Sequence, residues 1–332
     1  MTGNSSIDIS LADVWRSFVA FRTGKKPSRA IVEFEYDLLD NIIKLAAELQ
    51  TGTYKHGPYA HMIVNDNKRR DIAVASVRDR AVHRLLYDYL VTIWDKTFIY
   101  DAWSCRQNKG LHGAIDRSQR FMWQYKDGWL WRGDITKLFD SVDKHTMKRL
   151  LRRRVNNPTA LWLLDEIVDS YSSFEGARGI PIGNLTSQIL ANIYLNEFDR
   201  FIKHSIKPSA YLRYGDDWLC FMSDKVQLEN ARLKTEDFLR GELGLNIHPR
   251  VNFIRPVREG VSYLGVDLWS RGRRLDKDAQ EKMERSLNSR NIASYKALLT
   301  HHQSVKQIRR FDWVIDQISE PEMYSANFYK HL

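Results

Sequence analysis

Hydrophobic residues recur at helical spacing in the first hundred positions of the chain. Ser10 and Asp13 predict a helix start, because a hydroxyl can cap free amides and a carboxylate is favoured at the positive end of the helix dipole. This helix is expected to continue to about Phe21. Helical spacing returns over residues 34–49, and both of these helices are expected to be ordinary packing elements; residues 78–94 are expected to form a long helix.

Alternating residues and short apolar segments predict strands. Residues 61–75 alternate around a charged turn and predict a hairpin with a basic tip at Lys68, Arg69 and Arg70. Apolar segments typical of buried strands lie at residues 129–135, 210–221 and 262–268. Helices are predicted between them at residues 144–155, 159–171 and 185–202. This order predicts an α+β fold in which a sheet carries helices.

The charge of the chain is strongly positive. Lys and Arg number 51 against 41 Asp and Glu, which gives a formal charge of +10. The tail from Lys277 onward is predicted to be helical, and residues 270–310 hold eleven Lys or Arg against four Asp or Glu. A basic surface suits a polyanionic partner bound through its phosphates, although an ordinary solvated face has the same balance.

Length and cysteine usage narrow the class of protein. With 332 residues, of which 43% are hydrophobic, the chain can bury a core in two domains or in one domain with appended parts. Cys105 and Cys220 form no CxxC pair, which argues against structural zinc and for a reducing compartment. The polar first ten residues and the absence of a long apolar run predict no export and no membrane insertion, hence a cytoplasmic protein.

Two adjacent acids interrupt the apolar segment at residues 210–221. Asp216 and Asp217 stand where the tip of a hairpin would project carboxylates into a cleft. Phosphoryl transfer uses two divalent ions about 3.5 to 4 Å apart, and Mg²⁺ prefers hard oxygen ligands. Burying such acids without a metal or partner is costly. The alternative is an ordinary Gly-Asp-Asp turn between strands.

Asp134 supplies a second acidic position, at the end of the predicted strand 129–135. The bulky ring of Phe139 follows five residues later. The alternative role for Asp134 is a helix cap, whereas Asp140 and Asp143 are expected to serve local turns and helix starts.

Three segments occur in the order and spacing of a known set of motifs. They are Asp134 with Phe139, residues 179–188, and residues 214–217. Together they resemble the palm motifs of reverse transcriptases. The resemblance implies a right-hand polymerase fold with fingers, a palm of antiparallel sheet with helices, and a short helical thumb. It also implies an RNA-directed DNA polymerase that binds template RNA, a cDNA/RNA duplex and a dNTP, and uses two Mg²⁺ ions, for which Mn²⁺ can substitute.

The resemblance further implies roles for single residues. The catalytic residues are Asp134, Asp216 and Asp217, and the metal-binding set adds Ile135. The nucleotide-binding set is Arg69, Arg70, Phe139, Ile182 and Gly183. The template and primer set is Arg106, Lys109, Gln188, Tyr214, Tyr263, Leu264 and Gly265. Phe139 matches the steric gate against a ribose 2′-hydroxyl, with a plain core residue as the alternative. Arg70 offers a guanidinium fork suited to phosphate oxygens, whereas the alternative for Lys68 and Arg69 is that they are solvated turn charges.

The same resemblance divides the chain into three parts. Residues 1–128 are expected to form the N-terminal helices and fingers, with the first palm elements. Residues 129–268 are expected to form the palm with the catalytic motifs and the primer grip. Residues 269–332 are expected to form the basic helical thumb.

The middle motif points to a subgroup. Pro181-Ile182-Gly183 and Ser187-Gln188 closely resemble the enzymes of diversity-generating retroelements, which copy a template-repeat RNA with adenine-directed errors and work with a basic oligomeric accessory variability protein. Ile182 stands where related enzymes have glutamine, and losing that amide is expected to weaken rejection of mispairs. The alternative is that Ile182 merely packs beneath the base pair. Gly215 and Arg250 also depart from residues common in the family.

Three other functions stay open from sequence. One is an antiphage defence reverse transcriptase that copies a noncoding RNA with a second defence-locus protein. Another is a catalytically idle RNA-binding scaffold, against which the three acids argue. The third is an RNA-directed RNA polymerase, which Phe139 opposes.

Overall fold

The computed structural model describes residues 6–65, 69–171, 178–288, 291–302 and 305–328. Its α-helices are α1 (Leu11–Arg22), α2 (Arg29–Tyr36), α3 (Leu38–Gln50), α4 (Val77–Trp94), α5 (Leu111–Gln124), α6 (Leu138–Ser141), α7 (Lys144–Arg152), α8 (Pro158–Asp169), α9 (Leu185–Phe201), α10 (Lys225–Leu243), α11 (Lys277–Ser286), α12 (Ile292–His301) and α13 (Val305–Phe328). Its strands are β1 (Ala60–Asn65), β2 (Arg69–Val74), β3 (Trp129–Asp134), β4 (Ala210–Tyr214), β5 (Asp217–Met222), β6 (Phe253–Pro256), β7 (Val261–Tyr263), β8 (Val266–Trp269) and β9 (Gly272–Leu275).

The N-terminal helices begin where side chains cap them. At α1, the Ser10 side chain accepts from the backbone of Asp13 and the Asp13 side chain accepts from Ser10, so the predicted helix start is confirmed. The prediction of one helix over residues 34–49 is wrong. Ser28 caps α2 six residues earlier, and Asp37, with φ −113° and ψ 42°, separates α2 from α3.

The predicted hairpin is confirmed outside its tip. β1 pairs antiparallel with β2, with Ala60 opposite Val74 and Asn65 opposite Arg69. The tip residues 66–68, including Lys68, lie outside the described residues. After the hairpin, Ser76 caps α4, whose buried face packs against α1 and α9.

A central antiparallel sheet has the strand order β4-β5-β3-β6. Its two faces are buried in different cores, because alternate residues of a strand point to opposite sides. Trp131 and Trp218 lie in the first core with α1, α4 and α9, whereas Leu130 and Leu219 lie in the second core with α5 and the C-terminal elements. Burial on both faces explains why these strands are continuous apolar segments in the sequence.

A second antiparallel sheet, β7-β8-β9, follows the central one. The prediction of a single strand over residues 262–268 is wrong, because the chain turns at Leu264 (φ 54°) and Gly265 (φ 79°) between β7 and β8. The segment 210–221 is two strands joined at residues 215–216, as a hairpin tip requires. The helical tail from Lys277 is confirmed in α11, α12 and α13.

The structure also has elements that the sequence pattern did not predict, namely α5, α10, β6 and β9. No helix in the described ranges combines the length and the apolar character needed to cross a membrane.

Candidate active site

Backbone pairing alone brings the three acids together. Asp134, the last residue of β3, lies opposite Asp217, the first residue of β5. The amide of Ile135 donates to the carbonyl oxygen of Asp216 at 3.2 Å, so the turn between β4 and β5 is fixed against the end of β3. The two acidic motifs of the sequence therefore form one cluster at one edge of the central sheet.

The chain leaves this cluster sharply after Asp134. The carbonyl of Asp134 accepts from the His248 amide at 2.7 Å, and the Thr136 amide donates to Asn246 at 2.9 Å. Lys137 then adopts a left-handed conformation with φ 45° and leads into α6. Asp134 is thus a strand end held between two segments, and the alternative of a helix cap at Asp134 does not hold, since Lys137 is the residue that precedes α6.

The Asp217 side chain is nearly buried, with 8% of the residue exposed. Burial raises its pKa to about 7; Arg132 acts in the opposite direction, and the neighbouring Asp134 and Asp216 raise the pKa further. Arg132 donates from Nε to Asp217 Oδ1 at 3.2 Å and from Nη2 to Oδ2 at 2.7 Å. Three acids therefore crowd at this edge, where Arg132 is the counter-charge that favours the ionised form of Asp217.

The chemistry of the cluster fits divalent ions. Three carboxylates supply hard oxygen donors, and their mutual repulsion would be relieved by a cation. Across the part of the chain that the structure describes, no three His, Cys, Asp or Glu side chains are already arranged to hold a metal ion. Both oxygens of Asp217 face Arg132, so ion binding there requires side-chain adjustment or sharing of the carboxylate.

The expected nucleotide-binding residues are joined by a chain of backbone contacts. The Ile182 carbonyl accepts from Ala73 of β2 at 3.1 Å, and the Phe139 carbonyl accepts from Ile180 at 2.8 Å. Gly183 has φ 103°, and a Cβ there would lie 2.4 Å from Ile72 Cγ2, so the close approach of this loop to β2 requires glycine. The loop thus links the hairpin to the helix that follows Asp134.

The side chains of this group are exposed to different degrees. Arg70 is exposed on β2, Ile182 is half-buried, and the half-buried ring of Phe139 packs against the first core. The backbone of Arg69 pairs with Asn65, and its side chain lies outside the described residues.

Two expected template residues lie in the loop beside the acidic turn. Arg106 donates to Asp95 Oδ1 at 2.8 Å and to the carbonyls of Ile99 and Ala102, so its donors hold this loop together. Lys109 Nζ lies 3.4 Å from the centroid of the Tyr100 ring, which is 66% exposed. Lys109 is therefore better placed than Arg106 to meet a partner.

The other expected template and primer residues lie on α9, in β4 and in the β7–β8 hairpin. Gln188 is exposed on α9, and Tyr214, half-buried, directly precedes the acidic turn. Leu264 and Gly265 form the β7–β8 turn, and the buried Tyr263 donates its hydroxyl to the Asp217 carbonyl at 3.1 Å. The β7–β8 hairpin is thus attached directly to the acidic turn.

Sequence reasoning missed the buried polar residues that hold the acidic turn and the β1–β2 hairpin. Arg213 donates to Asp199 from Nε at 2.8 Å and from Nη2 at 2.7 Å, and its Nη1 donates to the Gly215 carbonyl at 2.7 Å. Asn184 donates to the Ala73 carbonyl at 2.7 Å and accepts from Ala75. An arginine in an apolar strand and an aspartate in an apolar helix were the available signals.

Residues 55–268 match a family model described as reverse transcriptase (RNA-dependent DNA polymerase). Among curated proteins, Protein YkfC of Escherichia coli (strain K12) is 26% identical over 263 residues, which cover 67% of this chain and 69% of YkfC. Group II intron-encoded protein LtrA of Lactococcus lactis subsp. cremoris is 25% identical over 171 residues, which cover 49% of this chain and 28% of LtrA. The chain therefore spans less than a third of LtrA.

Solved structures with a similar fold include two telomerases. Telomerase from Candida albicans, in complex with a fragment of telomeric RNA, has a TM-score of 0.55 at 8% identity and matches 88% of this chain and 61% of its own. Apo telomerase from Candida tropicalis has a TM-score of 0.51 at 10% identity and matches 72% of this chain and 60% of its own. These similarities support the expected right-hand polymerase fold.

Proposed function

Because the chain belongs to the reverse transcriptase family, we propose that it is an RNA-directed DNA polymerase that extends a primer along an RNA template. The observation that carries the proposal is the pairing of Asp134 with Asp217 across β3 and β5, with Asp216 in the adjoining turn. Converging carboxylates at a sheet edge supply the charge and the oxygen donors that phosphoryl transfer needs.

In this proposal the acids hold the metal ions. Asp134, Asp216 and Asp217, with the backbone at Ile135, would bind two Mg²⁺ ions, for which Mn²⁺ can substitute. When bound, such ions activate the primer 3′-hydroxyl and neutralise the leaving pyrophosphate. The chain itself keeps the carboxylates converged through strand pairing and fixes the turn through Arg213.

We assign one set of residues around the acids to the nucleotide and another set to the template and primer. Arg69 and Arg70 would contact the triphosphate, while Phe139, Ile182 and Gly183 would shape the pocket for sugar and base. Lys109, Gln188, Tyr214 and the β7–β8 turn with Tyr263, Leu264 and Gly265 would contact template and primer. Arg106 would act by holding its loop.

We assign the fingers to residues 1–128, the palm to residues 129–268 and the thumb to residues 269–332. The start of β3 at Trp129 and the helices from Lys277 support these boundaries. Cys105 and Cys220 are both free thiols, which supports a reducing compartment such as the cytoplasm.

A primer-extension assay on an RNA template tests the activity. Asp216→Ala and Asp217→Ala should each abolish incorporation of dNTPs, and Asp237→Ala, which changes an exposed acid on α10, should leave it intact. Activity that survives both active-site substitutions would refute the assignment. An inactive wild-type protein that still binds RNA would favour the idle scaffold.

The finer proposal is error-prone copying of a dedicated RNA in a diversity-generating retroelement. It is supported by Ile182 and Gly183, whose loop lies against β2 beside the expected nucleotide pocket. A basic oligomeric accessory variability protein would then be the partner.

Sequencing the RNA that co-purifies with the protein tests this subgroup. A template repeat with a nearby imperfect copy would support diversification. A structured noncoding RNA from a defence locus would instead support the antiphage function, with a second defence-locus protein as partner.

A further inference from the structure

We infer that Arg132 is a positioning residue that ties the acidic turn to the β7–β8 hairpin, an inference that rests on the proposed polymerase function. Arg132 was assigned no role by the sequence motifs. It lies on β3 two residues before Asp134, and alternate residues of a strand share a face. Its side chain therefore emerges on the same side of the sheet as the Asp134 carboxylate.

The guanidinium of Arg132 contacts the acidic turn and the β7–β8 hairpin at the same time. Nε and Nη2 bind the two oxygens of Asp217 at 3.2 and 2.7 Å, and Nη1 donates to the carbonyl of Ser262 in β7. The guanidinium carbon also lies 5.7 Å from the centroid of the Tyr263 ring. Such two-point pairing fixes the orientation of a carboxylate, which a lysine cannot do equally well.

These contacts span two separate sheets. The described strands place β5 in the central sheet and β7 in the sheet β7-β8-β9. Arg132 joins them through Asp217 and Ser262, and the Tyr263 hydroxyl joins them again through the Asp217 carbonyl at 3.1 Å. The acidic turn and the β7–β8 hairpin are thereby held as one unit. A primer end that rests on this hairpin therefore stays at a fixed distance from the carboxylates.

Arg132 supports the position of the acidic turn, but its positive charge is expected to weaken the binding of divalent ions. Its side chain is 19% exposed and that of Asp217 is 12% exposed, so the pair is poorly screened by solvent. The Arg132 guanidinium repels a divalent ion beside the acids and occupies the Asp217 oxygens. Removing it should therefore strengthen ion binding while it disturbs the position of the primer end.

The test compares Arg132→Gln and Arg132→Lys with a control, Arg153→Gln, which breaks an ion pair to Glu197 at 2.8 Å on another face. Arg132→Gln should lower kcat for dNTP addition by roughly 10- to 100-fold, the cost of misplaced reacting groups, with the KM for dNTP and the Kd for duplex little changed. Mn²⁺ binding to the protein alone, followed by electron paramagnetic resonance, should tighten by about twofold or more.

The other variants and a folding check complete the test. Arg132→Lys should fall between wild type and Arg132→Gln in kcat, because a single ammonium makes only part of the contacts. Arg153→Gln should match wild type in kcat and Mn²⁺ binding. The thermal unfolding midpoint Tm of each variant shows whether a slower enzyme is still folded, and so distinguishes misplaced reacting groups from loss of the fold.

The outcomes distinguish the two proposals. A wild-type protein without polymerase activity overturns the proposed function. An active wild type with Arg132→Gln equally active, or with Mn²⁺ binding unchanged or weaker in that variant, overturns the inference about Arg132 alone. Slower addition together with tighter Mn²⁺ binding in a folded protein supports it.

Discussion

In the proposed function, Phe139 and Ile182 are the two residues whose side chains are expected to act on the choice of nucleotide. Phe139 lies in α6, and its carbonyl is bound by Ile180, two residues before Ile182. The two side chains therefore belong to neighbouring segments, and each can be changed without removing a carboxylate.

Replacing the ring of Phe139 should relax discrimination between sugars. In Phe139→Ala, the ratio of kcat/KM for a dNTP to that for the matching ribonucleotide should fall by roughly 10- to 200-fold, the range that pocket shape alone usually supplies. Single-nucleotide incorporation on one primer–template measures both values. The dNTP reaction of the same variant is the internal control, and an unchanged ratio would mean that Phe139 is only a core residue.

Restoring an amide at position 182 should improve fidelity. Ile182→Gln should lower misincorporation opposite template adenine, because a hydrogen-bonding group rejects poorly paired partners more strongly than an apolar one. Ile182→Leu is the matched control, since it keeps an apolar side chain of the same size. Equal error rates in wild type and Ile182→Gln would show that Ile182 merely packs.

Among the elements, the contact between the β1–β2 hairpin and the start of α9 joins the proposed fingers to the proposed palm. Asn184, 2% exposed, stands at the N-cap of α9 yet makes no cap bond with its side chain. Its amide instead bonds the backbone of Ala73 and Ala75 at the end of β2. The buried Asn184 amide and the Ile182 carbonyl thus attach the end of β2 to the segment that leads into α9.

Removing that amide should loosen the hairpin. Asn184→Ala should lower the free energy of unfolding by about 1 to 3 kcal/mol, because backbone groups of β2 lose their partner, and should raise the KM for dNTP. Denaturant unfolding and steady-state kinetics measure the two effects. Asn157→Ala, which removes the side-chain cap of α8, is the control: it should cost stability without a change in KM, and an equal change in both variants would contradict the role of Asn184.

At the scale of the whole molecule, buried histidines connect regions distant in sequence. His83 of α4 lies with Nε2 3.0 Å from His56 Nε2 and contacts Thr186 of α9 through Nδ1. His302, 2% exposed, packs beside His112 of α5, with ring centroids 6.4 Å apart. The first pair joins the segment before β1 to α4 and α9, and the second joins the C-terminal helices to α5.

These histidines predict a loss of stability in mild acid. Burial lowers the pKa of His83 to about 3 and that of His302 to about 4, so both stay neutral in the folded protein while the unfolded chain takes up protons below its ordinary pKa of about 6.5. Stability is therefore full above this value and falls as pH drops below it. Urea unfolding at pH 7.5 and 5.5 measures the change, and His83→Gln should reduce it; a pH-independent midpoint would contradict the prediction.

The local pattern of the sequence was sufficient for several elements. The capping box of α1, the β1–β2 hairpin and the turn between β4 and β5 follow from residues within a few positions of one another. Leu228, Leu239 and Leu243, buried in α10, are likewise spaced as on one face of a helix. The order of Asp134, Phe139 and the acidic pair was enough to indicate the family.

Only the tertiary structure decided how the site is held. Arg132 meets Asp217 across 85 positions and Ser262 across 130, and Asn184 meets Ala73 across 111. Periodicity and capping act between near neighbours, so one sequence carries no local signal for such pairs. The sequence by itself determined which acids are expected to form the site. Folding of distant segments determined which arginine and which amide hold those acids and the hairpin in place.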